Sequence, residues 1–237
     1  MEIVQQELRV VLPGDVISID LENIENHGTV VLGPGLRQDG ESIVATKQGI
    51  LKHIPVSNRW WIESNQKRYV AATGESVLGI VTARLAEYYR VDIGTAHTAV
   101  LPVLAFEGAT KRNKPNLLPR TLVYCRVTMA NRDMEAELDC VNPTTGKADG
   151  FGPLKDGYMF KCSLGLCRRL LNPSTPILAI LGNHFPFEIA VGMNGRVWIN
   201  SNTFQDTILI ANAIQNSEYL SSEECKTMVE ELINART

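Results

Sequence analysis

Phe187-Glu188-Ile189-Ala190-Val191-Gly192-Met193-Asn194-Gly195-Arg196-Val197-Trp198 reads as two strands joined by a tight turn. The apolar and β-branched residues alternate on either side of a Gly/Asn/Gly punctuation. Asn-Gly is the preferred central pair of a type I′ hairpin, so a type I′ turn with positive φ at Gly195 is expected. Upstream, Tyr158-Met159-Phe160-Lys161-Cys162 reads as a strand. Leu164 to Leu171 carries one apolar face and reads as a helix closed by Asn172-Pro173, and a second short helix follows Pro176. Downstream, helices are expected over about 203–216 and 222–235, the second capped by Ser221 or Ser222 with Glu223 and Glu224 in its first turn. The order is β-α-α-β-β-α.

The middle of the chain has a different rhythm. Tyr88-Tyr89-Arg90-Val91-Asp92-Ile93 alternates strictly, so Tyr89, Val91 and Ile93 share one face and Tyr88, Arg90 and Asp92 the other. Strands are expected at 76–83, 98–101, 122–127 and 136–140 as well. Five strands, with the long polar connection from Gly108 to Pro119 between the third and fourth, outline an OB-type barrel. Nearer the start, Val16 to Asp20, Thr29 to Leu32, Ser42 to Thr46, Lys47 to Leu51 and Trp60 to Glu63 read as short strands of a small β domain. Trp60 and Trp61 point to opposite faces of their strand, one toward a core and the other toward an interface. The expected fold is multidomain and mostly β with an α+β C-terminal part, divided at about 1–64, 65–146 and 147–237.

Composition narrows the function. The 237 residues are 44% hydrophobic and 21% charged, ordinary for a folded chain. No apolar run reaches the roughly 18 residues of a membrane span, and Met1 to Val10 lacks an apolar targeting core, so neither a membrane partner nor a signal peptide is expected. The five cysteines, Cys125, Cys140, Cys162, Cys167 and Cys225, show no CxxC spacing and read as small buried hydrophobes in a reducing compartment. The formal net charge of −3 lacks the basic surplus of a free-standing nucleic-acid binder. Either the chain does not bind nucleic acid, or it contributes a local basic patch to a site shared with other subunits.

No catalytic motif is visible: there is no GxSxG, P-loop or HExxH, and His27, His53, His97 and His184 are scattered without ligand spacing. Glu135, Glu137 and Asp139 would share a strand face, with Asp133 nearby; such a row more often faces solvent than binds magnesium. No cofactor or metal is expected. Lys111, Arg112 and Lys114 form the densest basic cluster, which on composition alone is a solvated loop. Arg84, Arg120 and Arg126 are weaker candidates, and Lys67-Arg68 reads as a domain junction.

The order small β domain, S1 (OB-type) barrel, type I KH domain resembles the cap proteins of the eukaryotic RNA exosome. The strings that carry the resemblance run nearly the length of the chain. They are Val31-Leu32-Gly33-Pro34-Gly35, Lys67-Arg68-Tyr69-Val70, Asp92-Ile93, 122–127, Glu135-Ala136-Glu137-Leu138, Thr144-Thr145-Gly146 with Gly150-Phe151-Gly152, and 187–198 with its GxNG and Trp198. The insert Lys111-Arg112-Asn113-Lys114-Pro115 favours the ribosomal RNA-processing protein 40 (exosome component 3) type over its sister cap proteins.

The resemblance implies a non-catalytic subunit of a 3′→5′ RNA-degrading complex of the nucleus, nucleolus and cytoplasm. Its implied partners are RNase PH-like ring subunits, the other S1/KH cap subunits and single-stranded RNA. It places the Lys111, Arg112 and Lys114 loop toward the RNA path, with Tyr88 and Arg90 as further candidate contacts, since an outward tyrosine and arginine can stack on a base. A solvated or partner-facing strand is an equal reading of Tyr88 and Arg90, and Pro102 stands near where many S1 domains carry a histidine. It assigns Gly33-Pro34-Gly35, a rigid turn on composition, to a ring-docking domain.

In a KH domain the RNA-gripping GxxG loop joins two helices. Here the GxNG of Gly192, Asn194 and Gly195 joins two strands, and the helix-to-helix link 171–176 has no glycine. In the family the GxNG packs the KH domain against its neighbour. The rival functions are an autonomous S1/KH RNA-binding adaptor and a metal-dependent ribonuclease using the acidic row.

Overall fold

The computed structural model describes residues 9–18, 30–131, 133–172 and 175–234. Residues Met1–Asn65 form one compact unit and Gln66–Thr237 a second.

The first unit is built of short strands: β1 (Val10–Val11), β2 (Val16–Ile17), β3 (Val31–Leu32), β4 (Leu36–Asp39), β5 (Ser42–Ala45), β6 (Gly49–Ile54) and β7 (Arg59–Glu63). They make a four-stranded sheet in the order β1-β6-β7-β3 and a three-stranded sheet β2-β5-β4. Val11, Ile17, Ala45 and Ile62 form its small core. β1 and β4 were not expected, whereas the other five match predicted strands. Residues 19, 20 and 29 of those predicted strands lie outside the described residues. In β7 the core residue is Ile62 rather than a tryptophan. Trp60 and Trp61 are both half-buried, and Trp60 stacks on His53 at 3.9 Å.

The second unit begins with the barrel: β8 (Ser76–Arg84), β9 (Tyr88–Asp92), β10 (Ala99–Pro102), β11 (Leu122–Met129) and β12 (Glu137–Asp139). β12 pairs in parallel with β10 and antiparallel with β11, which closes five strands into a barrel. The alternation read in the sequence is realised: Tyr89, Val91 and Ile93 are fully buried with Val77, Val81, Leu101, Val123 and Cys125. A strand the sequence hid, β13 (Gly152–Leu154), pairs with β11 outside the closed ring, past residue 146.

The α+β part follows as β14 (Tyr158–Lys161), α1 (Leu164–Leu170), α2 (Pro176–His184), β15 (Phe187–Gly192), β16 (Arg196–Ser201), α3 (Phe204–Asn216) and α4 (Ser222–Asn234). This is the predicted type I KH order with one further helix. The sheet order is β14-β16-β15. Local chemistry sets the helix starts. Ser163 Oγ accepts from the Leu166 amide, Pro176 opens α2, and Thr203 Oγ1 accepts from the Asp206 amide. Ser221 and Glu224 exchange hydrogen bonds at the start of α4 as a capping box. Phe160, Leu166, Leu181, Val197, Ile199, Ile210 and Ile214 fill the space between sheet and helices. The five cysteines are free thiols, four of them buried and Cys162 half-buried.

Candidate nucleic-acid interface

The KH sheet has a second face, and the barrel covers it. Leu78, Ala190 and Trp198 form a buried cluster, with Leu122, Tyr124, Leu154 and Met159 packed around it. Trp198 therefore faces the barrel rather than the helical core, and its indole Nε1 donates to Asp156 O at 3.0 Å. Tyr124 stacks on Phe151 and donates its hydroxyl to Val191 O at 3.2 Å.

The GxNG turn completes this seam. Val191 pairs with Val197 and Gly192 with Arg196, so the loop is Met193-Asn194-Gly195, three residues long. The Gly195 amide donates to Gly192 O at 3.3 Å, and of the loop residues only Gly195 has positive φ, +76°. That is a type I turn followed by a left-handed glycine, not the expected type I′ turn, which needs positive φ at both central residues. The physical reason lies in Asn194, whose side chain is committed to the barrel. Its Nδ2 donates to Leu78 O at 2.7 Å and to Ile93 O at 2.8 Å, while its Oδ1 accepts from the Leu78 amide at 3.1 Å. A Cβ on Gly192 would lie 2.3 Å from that Oδ1, so only glycine admits the Asn194 side chain there. Next to it, the buried Arg196 guanidinium donates to Asp92 O and to Asp92 Oδ2, each at 2.7 Å. Desolvation pushes Asp92 toward protonation, but hydrogen bonds from Arg196 and from the Gly94 amide outweigh it and hold its carboxyl below the ordinary range.

The outward face of β9 is thus already engaged. Asp92 belongs to the seam. Arg90 donates to Thr98 at 3.1 Å and pairs with Glu135 at 3.2 Å, so it is not a free cation. Tyr88 is half-buried opposite Pro102. Of the acidic row, Glu135 is spent on Arg90, and Asp139 caps the Val141 amide at 3.0 Å. Among the described residues no three His, Cys, Asp or Glu side chains converge on a metal-sized position. His53, His97 and His184 lie in different elements, and His27 lies outside the described residues.

The basic loop is different. Lys111, Arg112 and Lys114 are exposed, and among the described residues none forms an ion pair. The base of the loop is fastened to the barrel end. Tyr89 hydroxyl donates to Pro115 O, Arg84 to Asn116 Oδ1, and Leu117 is buried. Thr110 and Asn113 close the tip around Lys111 and Arg112, with hydrogen bonds of 3.1 and 3.0 Å. Three exposed cations without an ion-pair partner among the described residues thus sit on a braced loop. Arg120 is exposed nearby in the chain, Arg126 is half-buried on β11, and Lys67 and Arg68 are exposed ahead of the barrel. The sequence did not reveal that Arg84 braces the loop, because its partner lies 32 residues away.

Gly33 and Gly35 are half-buried and Pro34 is exposed. A Cβ on Gly33 would approach Trp61 Cβ to 2.8 Å, and one on Gly35 would approach Ile62 Cβ to the same distance. The turn is therefore shaped by close packing on β7, with the Ile62 amide donating to Pro34 O at 2.9 Å.

Family models match along the chain in order. The exosome complex exonuclease Rrp40 N-terminal domain covers residues 30–68, the exosome complex component RRP40 S1 domain 69–152, and a KH domain 157–205. The exosome complex component rrp40 of Schizosaccharomyces pombe is 48% identical over 230 residues, 93% of this chain and 92% of that one. RRP40 of Homo sapiens is 43% identical over 86% of this chain and 76% of its own length. RRP40 of Saccharomyces cerevisiae is 32% identical over 84% of each chain. A crystal structure with the provisional description of an exosome complex RNA-binding protein shares the fold at 20% identity, with a TM-score of 0.60 over 72% of this chain and 100% of its own. Barrel, KH domain, N-terminal domain and full-length similarity agree, and the chain belongs to the exosome complex component RRP40 family.

Proposed function

We propose that this chain is a non-catalytic, RNA-binding cap subunit of the RNA exosome. It anchors on the RNase PH-like ring beside the other S1/KH cap subunits and guides single-stranded RNA toward the central channel for 3′→5′ processing and decay. The observation that carries the RNA role is the braced, unpaired trio Lys111, Arg112 and Lys114. Phosphate contacts need free cations, and these sit in an exposed loop with no ion-pair partner among the described residues. Tyr88 is a secondary stacking candidate; Arg90 would first have to leave Glu135. Gly33, Pro34 and Gly35 belong to the ring-facing part of the proposal, with Pro34 the exposed member. The proposed modules are 1–64, 65–146 and 147–237, and the proposed sites of action are the nucleus, including the nucleolus, and the cytoplasm.

Neither rival is supported by the site. Within the acidic row Glu135 is paired with Arg90 and Asp139 caps a backbone amide, and among the described residues no three His, Cys, Asp or Glu side chains converge as a metal cradle for a ribonuclease. An autonomous adaptor lacks both the basic surplus and a glycine clamp between the first two KH helices.

The test is the triple substitution K111A/R112A/K114A in the reconstituted complex. Assembly is expected to survive, because all three side chains are exposed and unpaired, and decay of long single-stranded RNA is expected to slow. Unchanged decay at low salt would reject the role of the loop.

A further inference from the structure

The KH sheet ends at β14, whose outer edge pairs with nothing among the described residues. Cys162 donates its amide to Gly195 O at 2.9 Å. By the alternation of an antiparallel ladder, residues 160 and 158 also face β16, and Met159 and Lys161 turn their backbone groups outward. Lys161 O agrees with this, since it accepts from the Gln215 side chain of α3 at 3.3 Å. The Met159 amide and carbonyl and the Lys161 amide remain available at this edge.

α3 packs on this sheet, with Gln215 reaching Lys161 O at its edge. Phe204, Ile208, Asn212 and Gln215 fall on one flank of the helix, and Gln215 fixes that flank as the one above β14. Phe204 is 91% exposed and Ile208 57% exposed. Tyr158, at the start of β14, is 51% exposed. Between them runs a groove of about 840 Å³, lined also by Asn200, Ala211 and Asn212. Its one charged lining residue is Asp156, an acid, so the groove offers a phosphate backbone no cation. Large exposed apolar side chains beside an open sheet edge are what a missing strand would leave behind.

We infer that this edge takes an extended segment of another protein subunit as an added strand, paired to β14 and covered by α3. Met159 and Lys161 supply the main-chain bonds, and Phe204, Ile208 and Tyr158 cover alternate apolar side chains of the incoming segment. The inference rests on the reading of the chain as a subunit of a protein assembly.

The experiment uses the affinity-purified complex with Phe204 replaced by the photo-crosslinker p-benzoylphenylalanine, together with hydrogen exchange of the unmodified chain, free and assembled. Crosslinks are expected to fall on one contiguous stretch of a stoichiometric protein subunit. The amides of Met159 and Lys161 are expected to exchange on the order of tenfold more slowly in the complex. I208D, a change at an exposed position, is expected to remove that protection while the chain stays folded. Crosslinks to RNA, to a second copy or to the chain itself would overturn the inference, as would unchanged exchange in an intact complex. A chain recovered without any exosome subunit would overturn the cap reading and this inference with it.

Discussion

Asn194 pairs with both backbone groups of Leu78, a residue 116 positions earlier and in a different domain. Its carboxamide imitates a peptide group at the point where barrel and KH domain meet, and its second Nδ2 proton reaches Ile93 O. Local propensity explains an asparagine in a turn. Three buried interdomain hydrogen bonds explain this particular one.

Asn194→Ala would leave the Leu78 amide and Ile93 carbonyl without their partners and is expected to cost about 2–4 kcal/mol. Asn194→Asp keeps the acceptor for Leu78 but turns an anion toward two carbonyls, so it should be no better than alanine. Urea unfolding of the three proteins checks the order. An aspartate variant as stable as the parent would refute the donor assignment.

Glycine is required beside it for two different reasons. At Gly192 the obstacle is space, because a Cβ would meet Asn194 Oδ1 at 2.3 Å and the Leu78 amide nitrogen at 2.7 Å. At Gly195 it is backbone conformation as well, with φ at +76° and Cys162 O at 2.8 Å from a Cβ. Gly192→Ala and Gly195→Val are each expected to destabilise by more than about 2 kcal/mol. Gly182→Ala is the contrast. This glycine is exposed in α2 with nothing within 4 Å of a Cβ, so alanine there should stabilise by about 0.5–1 kcal/mol. Thermal melts of the three variants decide whether the seam or glycine content in general sets stability.

The Arg196–Asp92 pair gives the seam a pH dependence. The Asp92 pKa is lowered on folding, so its contribution is fully present above the unfolded carboxylate value, near ~3.9, and is lost as pH falls through the lower folded value. Asp92→Asn keeps a hydrogen-bond acceptor for Arg196 but removes the charge. The stability gap between parent and D92N should be constant from pH 5 to 7 and shrink below about pH 4. Denaturation series at stepped pH measure it. A gap that widens in acid would mean that Asp92 is not held ionised by Arg196.

What the sequence disclosed follows how locally each feature is encoded. Tyr89, Val91 and Ile93 alternate within six residues, and their burial could be read from that spacing alone. The caps at Ser221 and Glu224 are equally local. β13 escaped because Gly152-Pro153-Leu154 carries no strand propensity and is recruited only by β11. The turn type was misread because Asn-Gly favours type I′ in isolation, whereas Asn194 is held by the barrel. Arg90 read as an available cation because Glu135, 45 residues away, is invisible as its partner until the barrel closes. The Lys111, Arg112 and Lys114 cluster was legible as a cluster, but not its brace through Tyr89 and Arg84.

That brace makes the loop's effect on RNA measurable as an electrostatic quantity. If Lys111, Arg112 and Lys114 each neutralise one phosphate of a single strand, removing all three should flatten the log–log dependence of RNA affinity on salt by about 2. The assembled complex is the proper object, since a chain of net charge −3 contributes only a local patch. Arg84→Ala should act more weakly and differently. It removes the tie to Asn116 but no tip cation, so affinity should fall with little change in slope. Fluorescence anisotropy with a single-stranded RNA, from low to moderate salt, separates the two behaviours. Equal slopes for the parent and the triple variant would mean that the loop tip does not meet phosphates, whatever its effect on decay.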